Sequence, residues 1–539
     1  MTDHRDSPWD AGAGDAARTG ARGRRGGRIA TASALALCAM LAPQGAAAQD
    51  ATGPAGGGSA EACAGFTAAM PDYPDLTFTT SHVDAGRARC LIEGSFERRS
   101  GVGGDYALGF ALALPDDWNG RFLYQGGGGL NGTVRPPEGA AAAGETSAVD
   151  RGFAVVSSDS GHQGAVFDPS FQADQIAALN FAQESVPKVT ALALKLVEGY
   201  YDAAPDYTYF DGCSTGGREA MQAAQRTPLL FDGVLAGAPA LRTDHSNTAL
   251  AAKAIAMNRL APEAADGSPD RAAVFDGAER QAILDGLLAA CDGLDGNRDG
   301  MIFAPDACDF DPAVLACEAG EEGACLNVGQ VGLVRTMFAP TESSTGRQIY
   351  PGYPMDTGVM DMPEGAAPGL FRFDAESNRQ AGNTDTESSV DDLVAQSITP
   401  GPQQWLINAD RWTNLSSFSG NGSKLMLYHG LSDPWFSAWD TRDYYLRLDA
   451  AAEGGARDFA ALYLVPGMAH CRGGSAGLDR FDMLTPLMAW VEKGTPPEAV
   501  TATGAAFEGR ERPLCRYPQH AVYDGSGDPQ AVESYSCAD

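Results

Sequence analysis

Short apolar runs recur along the chain, and most end abruptly in glycine or in a polar cluster. Tyr106 to Leu114 shows no clean alternation but is apolar enough for a buried strand. Arg121-Phe122-Leu123-Tyr124-Gln125 reads as another and runs into four glycines, Gly126 to Gly129. Gly152 to Asp159 is a third. Ser185 to Tyr200 instead repeats its apolar positions at helical spacing. Tyr207 to Asp211 is a strand stopped by Gly212-Cys213-Ser214-Thr215-Gly216-Gly217; Arg218 to Gln225 is then helical and Gly233 to Gly237 is strand again. Strands alternating with helices predict a parallel α/β sheet.

From His245 to Arg411 the pattern breaks and becomes rich in Asp, Gly, Pro and Cys. It resumes at Lys424 to Gly430 and at Ala461 to Val465. The simplest organisation is one α/β domain in two parts, 49–244 and 412–539, interrupted by an insertion over 245–411. Residues 49–62, rich in Gly and Ala, predict a loose start to the domain.

The first 48 residues read differently. Arg18, Arg22, Arg24, Arg25 and Arg28 precede an apolar run from Ala32 to Pro43, followed by Ala46-Ala47-Ala48. A basic region, a short apolar region and a small-residue site predict a secretory signal cut after Ala48. The run is too short to span a bilayer, and nothing else is long and apolar enough. Of eleven cysteines, removal of Cys38 leaves ten, an even number that favours disulfides in an exported chain. Free or metal-bound thiols are the alternative, but no C-x-x-C pair is present. Asp+Glu 70 against Lys+Arg 38 gives a net charge of -32. Phosphate backbones and anionic bilayers would repel such a chain, so nucleic acid and membrane surfaces are poor partners.

Gly212-Cys213-Ser214-Thr215-Gly216 matches G-x-S-x-G between a strand and a helix, the context of a nucleophile elbow. Such a turn holds Ser214 Oγ at the start of a helix, where N–H groups and the helix dipole favour an oxyanion. Serine needs a base, and the base an orienting acid. His470 lies on the loop after a strand and fits the base; His245, His429 and His520 also follow Ser214, and His429 either packs at its strand end or lines the site. Asp433, after the preceding strand, fits the acid. Asp440 and Asp443 compete but fall on a predicted helix and read as solvated. Thr215 N–H would be one oxyanion donor, with Gly128 or Gly129 supplying the other, because glycine lets backbone N–H groups approach a ligand closely.

The stretch Gly212 to Glu219, the Tyr428-His429-Gly430 strand end with Asp433-Pro434, and Gly467-Met468-Ala469-His470-Cys471 together resemble the tannase/feruloyl esterase family. The resemblance covers most of the chain after the signal. It implies an α/β-hydrolase fold with a large lid domain inserted between nucleophile and acid. It also implies the disulfides Cys213–Cys471, Cys63–Cys90, Cys291–Cys308, Cys317–Cys325 and Cys515–Cys537. Esters of hydroxylated aromatic acids are the substrate class it implies.

Within the insertion, Asp295 to Gly300 matches D-x-[DN]-x-[DN]-G, the first half of a calcium loop. The family implies a structural calcium here, held by the carboxylates of Asp292, Asp295 and Asp299 and by main-chain oxygens of Asn297 and Met301. A solvated acidic turn is the plainer alternative. Asp433-Pro434-Trp435-Phe436-Ser437 also resembles terephthalate monoester hydrolases of the same family, in which the aromatic after the acid packs on the substrate ring; Phe436, with Trp435 beside it, is the expected contact. The aromatics Phe371, Phe373, Trp405, Trp412 and Phe418 read as core more readily than as a substrate clamp. A secreted binding protein that retains the fold without activity is the reading from another class. The oligomeric state is not specified by the sequence.

Overall fold

The structure, a computed structural model, describes residues 58–68, 70–318, 323–359, 382–398, 402–474 and 476–539. The expected signal at 1–48 and the aromatics Phe371 and Phe373 lie outside these residues.

A nine-stranded sheet organises the chain. Its strands are β1 (Thr77–Val83), β2 (Arg89–Gly101), β3 (Gly104–Pro115), β4 (Arg121–Gln125), β5 (Ala154–Ser158), β6 (Tyr207–Cys213), β7 (Gly233–Gly237), β8 (Lys424–Gly430) and β9 (Ala460–Val465). Their order is β1-β2-β3-β5-β4-β6-β7-β8-β9. From β5 to β9 every pair is parallel; β1, β2 and β3 are antiparallel to their neighbours. The sheet is therefore mixed, and the expectation of a parallel sheet holds only for its larger part. The antiparallel edge escaped the pattern for a physical reason. β1 is half-exposed along its length, and β2 turns Glu93 and Arg98 outward, so neither shows a continuous apolar run.

From residue 58 the expected loose start over 49–62 needs correction; residues 49–57 lie outside the described residues. Ser59 caps a short helix, α1 (Ala60–Gly65), whose buried Cys63 is bonded to Cys90 of β2. The disulfide pins to the sheet a segment that composition alone marks as mobile.

Both faces of the sheet are covered, as a mostly parallel sheet requires. On one face lie α2 (Ser185–Tyr201) and α3 (Thr215–Arg226), with Val189, Leu192, Leu196, Met221 and Ala224 in the core. The other face packs Leu123, Val155, Leu235 and Met426 against Leu487 and Trp490 of a C-terminal helix, α8 (Leu484–Lys493). Between β7 and β8 the described residues add no strand to this sheet. That interval contains α4 (Thr243–Leu260), α5 (Gly277–Cys291) and α6 (Val328–Phe338), which gather around their own cluster of Met257, Ile283, Leu287, Val334 and Met337. After β8 comes α7 (Ala438–Ala451). All five disulfides implied by the resemblance are formed.

Candidate active site

Ser214 follows β6 directly and is the N-cap of α3, with φ 67° and ψ -120°. A non-glycine residue in this region costs about 1–3 kcal/mol, and the surroundings hold it there. Its N–H donates to Gly237 O (3.0 Å), and its carbonyl accepts from Arg218 N–H (2.9 Å) and Ala240 N–H (3.1 Å). The turn is too tight for side chains. A Cβ on Gly212 would stand 2.6 Å from the carbonyl of Gly216, and one on Gly216 would stand 2.7 Å from Gly127 O.

Asp433 follows β8 and is fully buried. One oxygen accepts His470 Nδ1–H at 2.6 Å; the other accepts the N–H groups of Trp435 (2.9 Å) and Phe436 (3.1 Å). His429 Nε2 lies 3.2 Å from the same oxygen that meets His470. Burial alone would push this carboxyl up, but the charge and hydrogen bonds of the two imidazoles outweigh it and hold the group well below the usual carboxylate range. His429 is buried, bridging Thr441 Oγ1 (2.8 Å) and Phe436 O (2.9 Å). Of its two expected places, it takes the packed one beneath the acid. Asp440 lies on α7 as expected but is not solvated: it is buried and paired with Arg242. Asp443 is partly exposed and paired with Arg442.

His470 presents Nε2 with no hydrogen-bond partner among the described residues. Its loop is joined to the elbow by the Cys213–Cys471 disulfide, whose Cα atoms are 6.0 Å apart. Ser214 and His470 line one cavity of about 1090 Å³, together with Trp435, Phe167, Asp211 and the glycine loop. Trp435 stands 4.7 Å from the His470 ring; Phe436 is buried behind, edge-on to His470 at 5.3 Å. Trp405 and Trp412 are exposed elsewhere, and Phe418 is core.

The glycine loop touches the elbow directly. Gly216 N–H donates to Gly127 O (3.1 Å), and Thr215 Oγ1 donates to Gly129 O. Gly128 and Gly129 line the cavity with their N–H groups unused among the described residues.

Sequence reasoning passed over two acids here. Asp211, three residues before the nucleophile, faces the cavity; burial pushes its carboxyl up to about 7. Asp356, from the insertion, accepts from Ser432 Oγ and from Gly467 N–H (2.7 Å), so one carboxylate grips both the acid loop and the histidine loop. The apolar segment ending at Gly212 announced a buried strand end, which was the available signal for Asp211. For Asp356 nothing in the sequence separates it from the other acids of the insertion.

The acidic loop at 292–301 is partly buried. Asp292 accepts N–H groups of Asp299 (3.0 Å), Gly300 (3.2 Å) and Met301 (3.3 Å). Asp299 pairs with the buried Arg512, and Asn297 reaches Asp299 (3.0 Å) and the Tyr535 hydroxyl (2.8 Å). Among the described residues no three acidic, histidine or cysteine side chains converge as a metal cage. Asp299 Oδ1 is nonetheless buried without a hydrogen-bond partner among the described residues, and a hard cation would suit it.

Comparison with known proteins places this geometry in context. The profile of the family described as tannase and feruloyl esterase matches residues 98–398 and 376–538. A mono(2-hydroxyethyl) terephthalate hydrolase from Piscinibacter sakaiensis is 34% identical, covering 86% of this chain and 87% of that protein. A probable feruloyl esterase B from Emericella nidulans is 30% identical, covering 79% and 82%. The crystal structure of feruloyl esterase B from Aspergillus oryzae superposes with a TM-score of 0.72 at 24% identity, covering 89% of this chain and all of that one.

Proposed function

The chain belongs to the tannase and feruloyl esterase family, and from that premise we propose that it hydrolyses carboxylic esters of aromatic acids at Ser214. The observation that carries this reading is the buried Asp433–His470 bond opening onto the same cavity as a strained Ser214. Ser214 Oγ attacks the ester carbonyl while His470 Nε2 takes its proton. Asp433 keeps the imidazole in the tautomer with a free Nε2 and stabilises the imidazolium. The N–H of Thr215 and one from Gly128 or Gly129 stabilise the oxyanion. His470 then returns the proton to the departing alcohol, and water repeats the sequence on the acyl-enzyme. Trp435, on the cavity wall, is the platform for the aromatic ring.

The test is fluorophosphonate labelling followed by a panel of methyl ferulate, methyl gallate, mono(2-hydroxyethyl) terephthalate and p-nitrophenyl acetate. A label mapped to Ser214, and turnover lost in Ser214→Ala, are the expected results. An unlabelled, inactive wild type would favour a binding protein on a hydrolase fold. Preference within the panel separates hydroxycinnamate and gallate esters from terephthalate monoesters, the substrate for which the 34% identical relative is named.

Two further readings belong here. The acidic loop holds a structural calcium through Asp292, Asp295 and Asp299 with the main-chain oxygens of Asn297 and Met301. The chain is exported, which the five disulfides support; among the described residues no helix is long and apolar enough to cross a membrane.

A further inference from the structure

One turn beyond Thr215 on α3 lies Glu219, buried to 3% exposure. Residues four apart share a helix face, so the face that turns Thr215 toward the glycine loop turns Glu219 there as well. Its carboxylate accepts the N–H of Gly127 at 2.8 Å, the side-chain amide of Asn131 at 2.7 Å and the hydroxyl of Ser160 at 3.4 Å. No cation pairs with it among the described residues. Arg218, its neighbour, reaches the other way, to Phe181 O at 2.9 Å and over the Phe181 ring.

A buried carboxylate satisfied only by neutral donors is costly unless those donors are held in place. Here two of the three come from strained backbone. Asn131 has φ 55° and Ser160 has φ 65°, both left-handed and neither glycine. Each costs roughly 1 kcal/mol or more, and such strain persists only where the surroundings over-determine it. The two side chains also bond to each other. Strain, burial and hydrogen bonds thus converge on the glycine loop.

The consequence is geometric. With Gly127 N–H drawn to Glu219 and Gly127 O taken by Gly216 N–H, both polar groups of that residue are fixed to α3. Gly127 O shares its trans peptide unit with Gly128 N–H, which therefore points away from Gly216, and Gly128 O, in the unit that carries Gly129 N–H, accepts Asn131 N–H at 3.0 Å; both unused N–H groups belong to residues lining the cavity that holds Ser214. We propose that Glu219 is a positioning residue of the oxyanion hole: it locks the glycine loop to the helix that begins at the nucleophile, so that both halves of the hole move as one body. This rests on the esterase reading above and deepens it.

The experiment compares Glu219→Ala, Glu219→Gln and Asn131→Ala with wild type, using the panel ester that wild type turns over fastest. Ser214→Ala is the control. An active wild type with a dead Ser214→Ala secures the esterase reading independently of Glu219; without that pair of results it is the esterase reading that fails. In Glu219→Ala we expect kcat to fall about 10²–10³-fold, the range for loss of an oxyanion donor, with KM within threefold. Phenylboronic acid, which forms a tetrahedral adduct on the serine, should bind weaker by a similar factor, while the product acid binds as before. Glu219→Gln should recover at least tenfold of the loss, because its carbonyl still accepts Gly127 N–H and, once the Asn131 amide turns over, its amide donates to Asn131 Oδ1, which has no partner among the described residues. A folded Glu219→Ala with kcat within threefold of wild type overturns the proposal. So does a loss confined to melting temperature and KM with boronate affinity unchanged, or a Glu219→Gln as impaired as Ala. If Glu219→Ala does not fold, Asn131→Ala decides: a kcat about tenfold lower at unchanged KM supports the proposal, and an unchanged kcat overturns it.

Discussion

The Asp433 carboxylate meets two imidazoles rather than one. His429 lies beneath it and His470 beside the cavity, so the acid is anchored before the base engages. Asp433→Asn should lower kcat by roughly 10³–10⁴-fold with little change in KM, through loss of the tautomer that leaves Nε2 free; steady-state kinetics of the folded variant check this, and an equal loss in Asp440→Asn would move the role elsewhere. Asp211 offers a second test. Its folded pKa of about 7 lies above its ordinary 3.8. Between those values the fold keeps the proton that the unfolded chain releases, so its contribution to stability is full below about 3.8 and lost as pH rises through 7. Denaturant melts from pH 4.5 to 7.5 should show wild type losing stability relative to Asp211→Asn, by at most roughly 4 kcal/mol. Ser214, Asp433 and His470 were legible because their chemistry dictates a spacing and a place at strand ends. Asp211, Glu219 and Asp356 were not, because a buried acid and a solvated one look alike until a fold brings donors to them.

At the scale of elements, the active site is a set of turns held against one another. The elbow, the glycine loop, the acid loop and the histidine loop are joined by Gly127–Gly216 contacts, the Cys213–Cys471 bridge and Asp356. The bridge closes a 258-residue interval, which in the chain-entropy model stabilises by about 5.5 kcal/mol. Its larger effect is on placement, where small errors cost about a hundredfold in rate. Replacing Cys213 and Cys471 by Ala should therefore lower kcat more than replacing Cys515 and Cys537. Equal losses in the two double variants would mean that the bridge merely stabilises. Strands β6 to β9 were readable because burial on both faces writes a continuous apolar run. β1 and β2 were not, since an edge half in water mixes charge with apolar residues.

Across the whole molecule, the insertion and the C-terminal tail meet at the acidic loop. Arg512 and Tyr535 of the tail contact Asp299 and Asn297 of the insertion. A cation bound there would therefore fasten two distant parts of the chain. Chelation should lower the melting temperature by a few degrees, and calcium should restore it. Asp295→Asn is the cleaner variant for abolishing the response, because Asp299→Ala would also leave the buried Arg512 without its partner. Metal analysis finding no stoichiometric calcium in protein purified without chelator would exclude the site. The break in pattern from 245 revealed that something interrupts the sheet, but not that its chain returns through Asp356 to grip both catalytic loops: a tertiary contact leaves no period in a sequence. The pairing of the cysteines bears, finally, on how the protein is made. Four bridges join cysteines adjacent in chain order, 8 to 27 residues apart. Cys213 alone must wait while Cys291, Cys308, Cys317 and Cys325 emerge before its partner does. Any of them can capture it first by thiol–disulfide exchange. The yield of active enzyme should thus be governed less by how oxidising the host compartment is than by how readily it reshuffles wrong bonds, and a disulfide isomerase should raise specific activity without raising the amount of protein made.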